Sequence, residues 1–288
     1  MATIIGVDLG GTKMAVARFD AETLQLEAEE RFRTHAESGM DQVLLDLLLA
    51  IESMRTKDTI GVGVEVPGLV EQPEGIIVTM PNIPGTKNFP LQAKLQERLK
   101  VRVKVDNDAN CFTLAEALFG AGVRKDVVCG ITMGTGVGGG IVIHGKLYRG
   151  HHGFAAEIGH MLLKPGEPPY ETKDMRGDVE QFLSGRAMGK RCSAAKKPED
   201  YLDGEVCSFL QPEVFKEVAW LVTNLTHLLD PSIIIFGGSA GKALEPHLPK
   251  IEEELKHWIL PNTPLPTLAV SILNDAATKG AALLLKDE

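Results

Sequence analysis

Thr3-Ile4-Ile5-Gly6-Val7-Asp8-Leu9-Gly10-Gly11-Thr12-Lys13 opens the chain with an apolar, β-branched run that breaks at a pair of glycines. Thr3–Val7 reads as a strand and the glycines as a turn, with Lys13–Phe19 alternating and pairing back as the second arm of a hairpin. About half a chain later the device returns. Val127–Met133 is a strand, Gly134-Thr135-Gly136-Val137-Gly138-Gly139-Gly140 a glycine loop, and Ile141–Ile143 the returning strand. Glycine turns expose backbone N–H groups, and converging N–H groups form a concave cradle for anions. A single loop of this kind could be an ordinary hairpin turn. Two in matching contexts imply a duplicated fold that closes on phosphates from both sides. Asp8, at the tip of the first strand, adds the oxygen ligand that a phosphate-bound hard cation needs. The pattern points to phosphoryl transfer.

Outward from the loops, the chain alternates strand and helix. Asp41–Arg55 places Leu44, Leu47, Leu48 and Ile51 on one helical face. Ile60–Val66 is a buried strand ending at Pro67-Gly68, and Val101–Val105 is another. A helix begins near Asn107 and runs to Phe119, with Asn107 or Asp106 as its N-cap, which puts Asp108 in a first helical turn at the end of a strand. In the second half Glu213–Leu229 is a helix, Ser232–Phe236 a strand stopped by Gly237-Gly238, Lys250–Trp258 a helix and Leu268–Ile272 a strand. Ala276–Leu285 closes the chain as an Ala/Leu-rich helix. The expectation is an α/β fold with two related lobes, 1–117 plus 275–288 and 118–274.

The 288 residues carry a net charge of -9, which argues against nucleic acid as a partner because that needs a Lys/Arg-rich face. Neither a membrane span nor a secretory signal is read, and Met1 leads directly into a strand, so a cytoplasmic location is expected. The four cysteines form no CxxC pair. Cys111 and Cys129 sit among apolar neighbours as core thiols, and neither disulfides nor a cysteine metal site is implied.

Taken in order, Asp8–Lys13, Pro67-Gly68, Pro81-Asn82, Asp106–Asn110, Gly134–Gly140, Gly153–His160, Glu180–Gly185, Asp230–Gly238 and Gly280-Ala281-Ala282 resemble the ROK family of bacterial sugar kinases and sugar-responsive repressors. The resemblance spans the chain. It implies the two-lobed actin/hexokinase-like ATPase fold, with duplicated ribonuclease H-like lobes, and ATP and Mg2+ as cofactors. Asp108, in the run Asn107-Asp108-Ala109-Asn110, matches the family's general base, which takes the proton of a sugar hydroxyl; the alternative is a helix cap. Gly10, Gly11, Thr12, Gly134, Thr135, Gly136 and Gly138 would cradle the phosphates. Asp8 would hold magnesium through water, Lys13 would add a point charge or simply be solvated, and Gly237-Gly238 would leave room for adenosine. Glu157, His160 and Glu180 would hold sugar hydroxyls, with Gly68, Asn82 and Asn107 around the reacting end.

The chain departs from the family's pattern at its zinc-binding cysteines. Counting back from Glu180, their positions hold Glu171, Lys173 and Asp178, and a lysine ammonium cannot ligate. No zinc is expected there, and a Lys173–Asp178 or Lys173–Glu171 ion pair is the expected substitute. The reading is an ATP-dependent hexose kinase, glucose at O6 favoured. N-acetylglucosamine, N-acetylmannosamine, mannose and fructose are the alternative acceptors, a polyphosphate donor would need a basic track that is not seen, and a non-catalytic sugar-sensing protein is the rival class. A family repressor would carry a helix-turn-helix before the first core strand. The partners implied are a small-molecule sugar and ATP, with neither nucleic acid nor membrane, and a homodimer is the assembly the resemblance allows.

Overall fold

The structure, a computed structural model, describes residues 1–195, 200, 202 and 206–287. β1 (Thr3–Leu9) is apolar on both faces and buried along almost its whole length, as befits a central strand. It pairs antiparallel with β2 (Lys13–Asp20) and parallel with β4 (Thr59–Val66). The sheet order is β3-β2-β1-β4-β8, where β3 is Leu26–Arg33 and β8 is Arg102–Asn107. α1 (Met40–Met54) packs Val43, Leu47 and Ile51 into that core. A small sheet of β5 (Leu69–Glu71), β6 (Ile76–Thr79) and β7 (Lys87–Phe89) leads to α2 (Leu91–Leu99), and α3 (Asp108–Phe119) follows β8 directly.

The second sheet repeats the plan. β9 (Val127–Met133) pairs antiparallel with β10 (Val137–Ile143) and parallel with β12 (Ile233–Gly237), in the order β11-β10-β9-β12-β13, with β11 at Lys146–Leu147 and β13 at Thr267–Val270. Its helices are α4 (Val179–Leu183), α5 (Gly185–Arg191), α6 (Gln211–Leu229), α7 (Gly238–Lys242) and α8 (Leu248–Leu255). Phe182, Val218, Leu221 and Phe236 are among its core residues.

The glycine run differs from the sequence reading. The hairpin closes at Met133 opposite Val137, so the turn is Gly134–Gly136 and Gly138–Gly140 lie inside β10. The reason is space: a Cβ on Gly139 would fall 2.4 Å from Ile158 Cδ1. Glycines also seat the last helix, α9 (Ala276–Leu283), against the first sheet. A Cβ on Gly6 or Gly63 would fall 1.8 Å from Thr278 O or 1.7 Å from Ala281 O.

The chain divides into two compact units. One comprises Met1–Ala115, Lys146–Ala155 and the C-terminal segment from Leu273, the other Glu116–Gly145 and Ala156–Ile272. The reading of 118–274 as one lobe is corrected at Lys146–Ala155, which groups with the first unit because Arg149 is ion-paired there to Asp106 and Asp287. A second correction concerns the cysteines. Cys192, after α5, and Cys207, before α6, form a disulfide across a Cα–Cα distance of 6.0 Å, whereas Cys111 and Cys129 are buried thiols as read. Folding brings together two positions whose spacing of 15 residues carries no motif. No helix among the described residues is long and apolar enough to cross a membrane.

Candidate active site

In the first unit, three carboxylate residues end up side by side through strand register. Asp8 on β1 is opposite Glu65 on β4, and Glu65 is opposite Asp106 on β8. Such strand ends are where chemistry collects in parallel sheets. Glu65 is 3 % exposed and its Oε2 has no hydrogen-bond partner among the described residues. Burial, reinforced by the negative charges of Asp8 and Asp108, lifts its carboxyl well above the usual range, and it hydrogen-bonds to Asp8. Burial also raises Asp8, offset in part by that hydrogen bond. Sequence reading missed Glu65. Its one signal was a lone acid in the otherwise apolar, glycine-punctuated run Ile60–Val66.

The turn from β8 into α3 holds the next residues. Asn107 Oδ1 accepts from Ala109 N at 2.8 Å and so caps the helix, while its Nδ2 donates to Gly68 O at 3.1 Å. Asp108 Oδ1 accepts from Ala109 N at 2.9 Å, and Asp108 also acts electrostatically on Glu65. Asp106 underlies the turn, its Oδ1 accepting from Asn107 N at 2.7 Å and Asn110 Nδ2 at 2.9 Å. The Gly10–Lys13 turn is closed by Gly10 N donating to Lys13 O at 3.0 Å. Gly11 abuts Asn82, whose Cβ would be 3.0 Å from a Cβ built there. The side chains of Thr12, Lys13 and Asn82 are exposed.

The second unit gathers the remaining candidates. Gly134 N donates to Gly136 O at 2.9 Å, and Thr135 is exposed at the tip of the turn. Glu180, in the first turn of α4, accepts from Val137 N through Oε2 at 3.0 Å, and a Cβ on Gly136 would lie 2.5 Å from that oxygen. Gly136 thus gives Glu180 access to the turn. Gly138 lies beyond it in β10. Gly237 ends β12, and Gly238 has φ +72° with Met133 O only 2.4 Å from where a Cβ would be, so both flank the same turn. Burial raises the Glu157 carboxyl, His160 lowers it and Glu180 raises it again, so Glu157 lies within electrostatic reach of both other candidate sugar ligands.

Where the zinc cysteines are missing, Asp178 is 1 % exposed and caps α4, Oδ1 accepting from Gln181 N at 3.1 Å. Its Oδ2 faces His160 Nδ1 at 3.4 Å and Arg176 Nη1 at 3.5 Å. The expected lysine pairs are therefore corrected: Arg176 and His160 partner Asp178, because the turn at Gly177 brings Arg176 rather than Lys173 to the capping carboxylate.

Residues 4–288 match the model of the ROK family. The chain belongs to the ROK family. This ROK protein is 30% identical to a glucokinase of Thermotoga maritima, over 99% of this chain and 97% of that one. It is 35% identical to an N-acetyl-D-glucosamine kinase of Histophilus somni, over 81% and 82%. A ROK glucokinase of Streptomyces griseus, solved with glucose and AMPPNP, superposes with a TM-score of 0.77 at 30% identity, covering 98% of this chain and 99% of the other. Such neighbours carry the actin/hexokinase-like ATPase fold that the two repeated sheets display.

Proposed function

We propose that this ROK protein transfers the γ-phosphoryl group of ATP to O6 of glucose, with Asp108 as general base. It is a sugar kinase of the ROK type; glucose is the finer reading, supported by the whole-length match to a glucokinase and by the neighbour holding glucose with an ATP analogue. The observation that carries the chemistry is the β8–α3 turn. There Asn107 caps the helix and Asp108 stands at its start, beside the buried Asp8–Glu65 pair.

Asp108 accepts the O6 proton as O6 bonds to the γ-phosphorus and the bond to the β,γ-bridging oxygen breaks, releasing ADP. The Gly10–Lys13 and Gly134–Gly136 turns, closed by their own backbone bonds from Gly10 N and Gly134 N, receive phosphate oxygens through the N–H groups of Gly11, Thr12, Thr135 and Gly136, with Gly138 next to the second turn in β10. Lys13 adds positive charge, and Gly237-Gly238 leaves room for the nucleoside. Glu157, His160 and Glu180 fix the sugar hydroxyls by directional bonds, and Asn82, Asn107 and the main chain at Gly68 orient the reacting end. Asp8, an oxygen-only donor beside the buried Glu65 oxygen that no described residue partners, suits Mg2+, which it would hold through water. When bound, that ion offsets charge on the phosphoryl oxygens.

A coupled ADP-release assay over glucose, N-acetylglucosamine, N-acetylmannosamine, mannose and fructose tests the reading. Glucose is expected to give the highest kcat/KM, and Asp108→Asn to lower kcat about a thousandfold. Preference for another hexose overturns the glucose assignment, and undiminished turnover by Asp108→Asn overturns the base.

A further inference from the structure

Asp106 reaches the candidate base through the turn, and the structure invests a buried charge network in it. Asp106 is 1 % exposed and both its oxygens are engaged. Oδ1 takes the Asn107 and Asn110 donors described above, and Oδ2 accepts from Arg149 Nε at 2.7 Å. Arg149 is held from its other side by Asp287, with Nη1 to Oδ2 at 2.6 Å. Asp287 is in turn fixed, its Oδ1 accepting from Leu147 N at 3.1 Å and its side chain 3 % exposed. Burial works against the charge on Arg149, but Asp106 and then Asp287 hold its pKa above the usual guanidinium value. The ion therefore stays charged between its two carboxylates.

We propose that Arg149 and Asp287 are positioning residues for the Asn107–Asp108 turn, acting through Asp106. This rests on the reading of Asp108 as base. The physical reason lies in what Asp106 would do alone. A buried carboxylate stripped of its cationic partner is strongly disfavoured and either rotates toward other donors or takes up a proton. Either response changes its hold on Asn107 N, the backbone group immediately before Asp108. A misplacement well under an ångström in a reacting group lowers the rate without removing any binding contact. Asp287 lies past the end of α9 with its oxygens on Arg149 and Leu147 N, so it anchors the turn from the far end of the chain.

The same region supplies a direct test. A cavity of about 120 Å³, lined by Gln72, Lys104, Asp106, Arg149 and Asp287, borders the guanidinium. Truncating Arg149 to alanine joins its own volume to that space, which then admits a free guanidinium ion. With full-length protein and the hexose that wild type turns over, Arg149→Ala is expected to lower kcat about 30-fold and to leave KM for ATP within about twofold. Millimolar guanidinium chloride is expected to restore kcat at least about fivefold, and sodium chloride at equal ionic strength is expected not to. Asp287→Asn is expected to lower kcat about fivefold, and adding it to Arg149→Ala to cost little more, because the residues act as one unit. A loss of thermal stability with kcat unchanged, or a kcat loss that guanidinium does not relieve, marks a purely structural pair and overturns the proposal. Should Arg149→Ala fail to fold, Asp287→Asn decides alone, and an unchanged kcat overturns it. A wild type inactive on every hexose overturns the kinase reading and this proposal together; an active wild type with unaffected variants overturns this proposal alone.

Discussion

Glu157 shows how far single residues could be read. Its place in Gly153–His160 marked it as a sugar ligand, but only the fold reveals that burial and the neighbouring Glu180 raise its carboxyl. A carboxylate that accepts hydroxyl donors works only when ionised. As pH falls through the raised pKa, sugar binding is lost earlier than an ordinary glutamate would dictate. The acid limb of the kcat/KM profile is therefore expected above the usual glutamate range, and Glu157→Gln is expected to lower kcat/KM and remove that limb. A variant that keeps the wild-type acid limb excludes Glu157 as its source. Glu65 was illegible for the opposite reason, since a lone acid inside a strand has no motif to announce it. Its pairing with Asp8 follows from the register of β1 against β4, which no local pattern encodes. Because its pKa is raised, the native state keeps a proton there that the unfolded chain has released above the ordinary value of 4.5. Stability then falls as pH rises through that window, by up to about 1.4 kcal/mol per pH unit. Glu65→Gln keeps a donor toward Asp8 and is expected to flatten this slope in urea titrations run at several pH values. An unchanged slope would place the proton elsewhere.

Secondary-structure elements were legible where periodicity was strong and illegible where packing decided. α1 announced itself through a 3.6-residue apolar stripe and α6 through its long, mostly apolar run, and their observed ends lie within two residues of the reading. The edge strand β3, Leu-Glu-Ala-Glu-Glu-Arg-Phe-Arg, turns only the half-buried Ala28 and Phe32 toward the core, too few to imprint a period, and it went unread. The first half of β10, residues 137–140, was taken for loop because glycine signals both a turn and a close approach. The same ambiguity covers Gly63, whose task is to let α9 lie against β4. A Cβ there meets the backbone oxygen of Ala281, which cannot rotate away, so Gly63→Val is expected to destabilise by about 3 kcal/mol or more. A midpoint in urea like that of wild type would show that α9 can shift without cost. The cysteines make a second test at this scale. Cys129 is pushed up to about 12 by burial and Cys111 well above its usual value, first by burial and then by the acidic residues around it. Neither presents a thiolate, and Cys192 and Cys207 are joined. Native protein is expected to leave a thiol-reactive chromogenic disulfide unreduced, and protein unfolded in urea without reductant to titrate two thiols. Four thiols in urea would mean that the Cys192–Cys207 bond is not formed.

At the scale of the whole molecule, the duplication was legible because each half writes the same sentence: strand, glycine turn, returning strand, and then strands added in parallel. The path of the chain between the units was not. Leu147 to Ala155 has no composition that sets it apart, and its place is fixed by Arg149 reaching Asp106 and Asp287, residues about 40 and 140 positions away. The first unit is consequently discontinuous, drawing on three stretches of chain, and its core depends on the last of them. α9 lies on β1 and β4, with Ala281, Ala282 and Leu283 all at most 2 % exposed. The second unit keeps its own core of Ile131, Phe182, Val218 and Phe236, to which nothing after Ile272 contributes. Ending the chain after Ile272 should therefore affect the two units unequally. Without α9, the glycine-lined face of β1 and β4 is left open to water and several buried aliphatic contacts are lost, a deficit of several kcal/mol against a typical margin of about 5–15 kcal/mol. Limited proteolysis with mass spectrometry of the truncated chain is expected to degrade the region before Ala115 and to spare fragments between Glu116 and Ile272. Equal protection of both regions would show that the first sheet stands without its closing helix, and equal loss would show that the second core depends on the first.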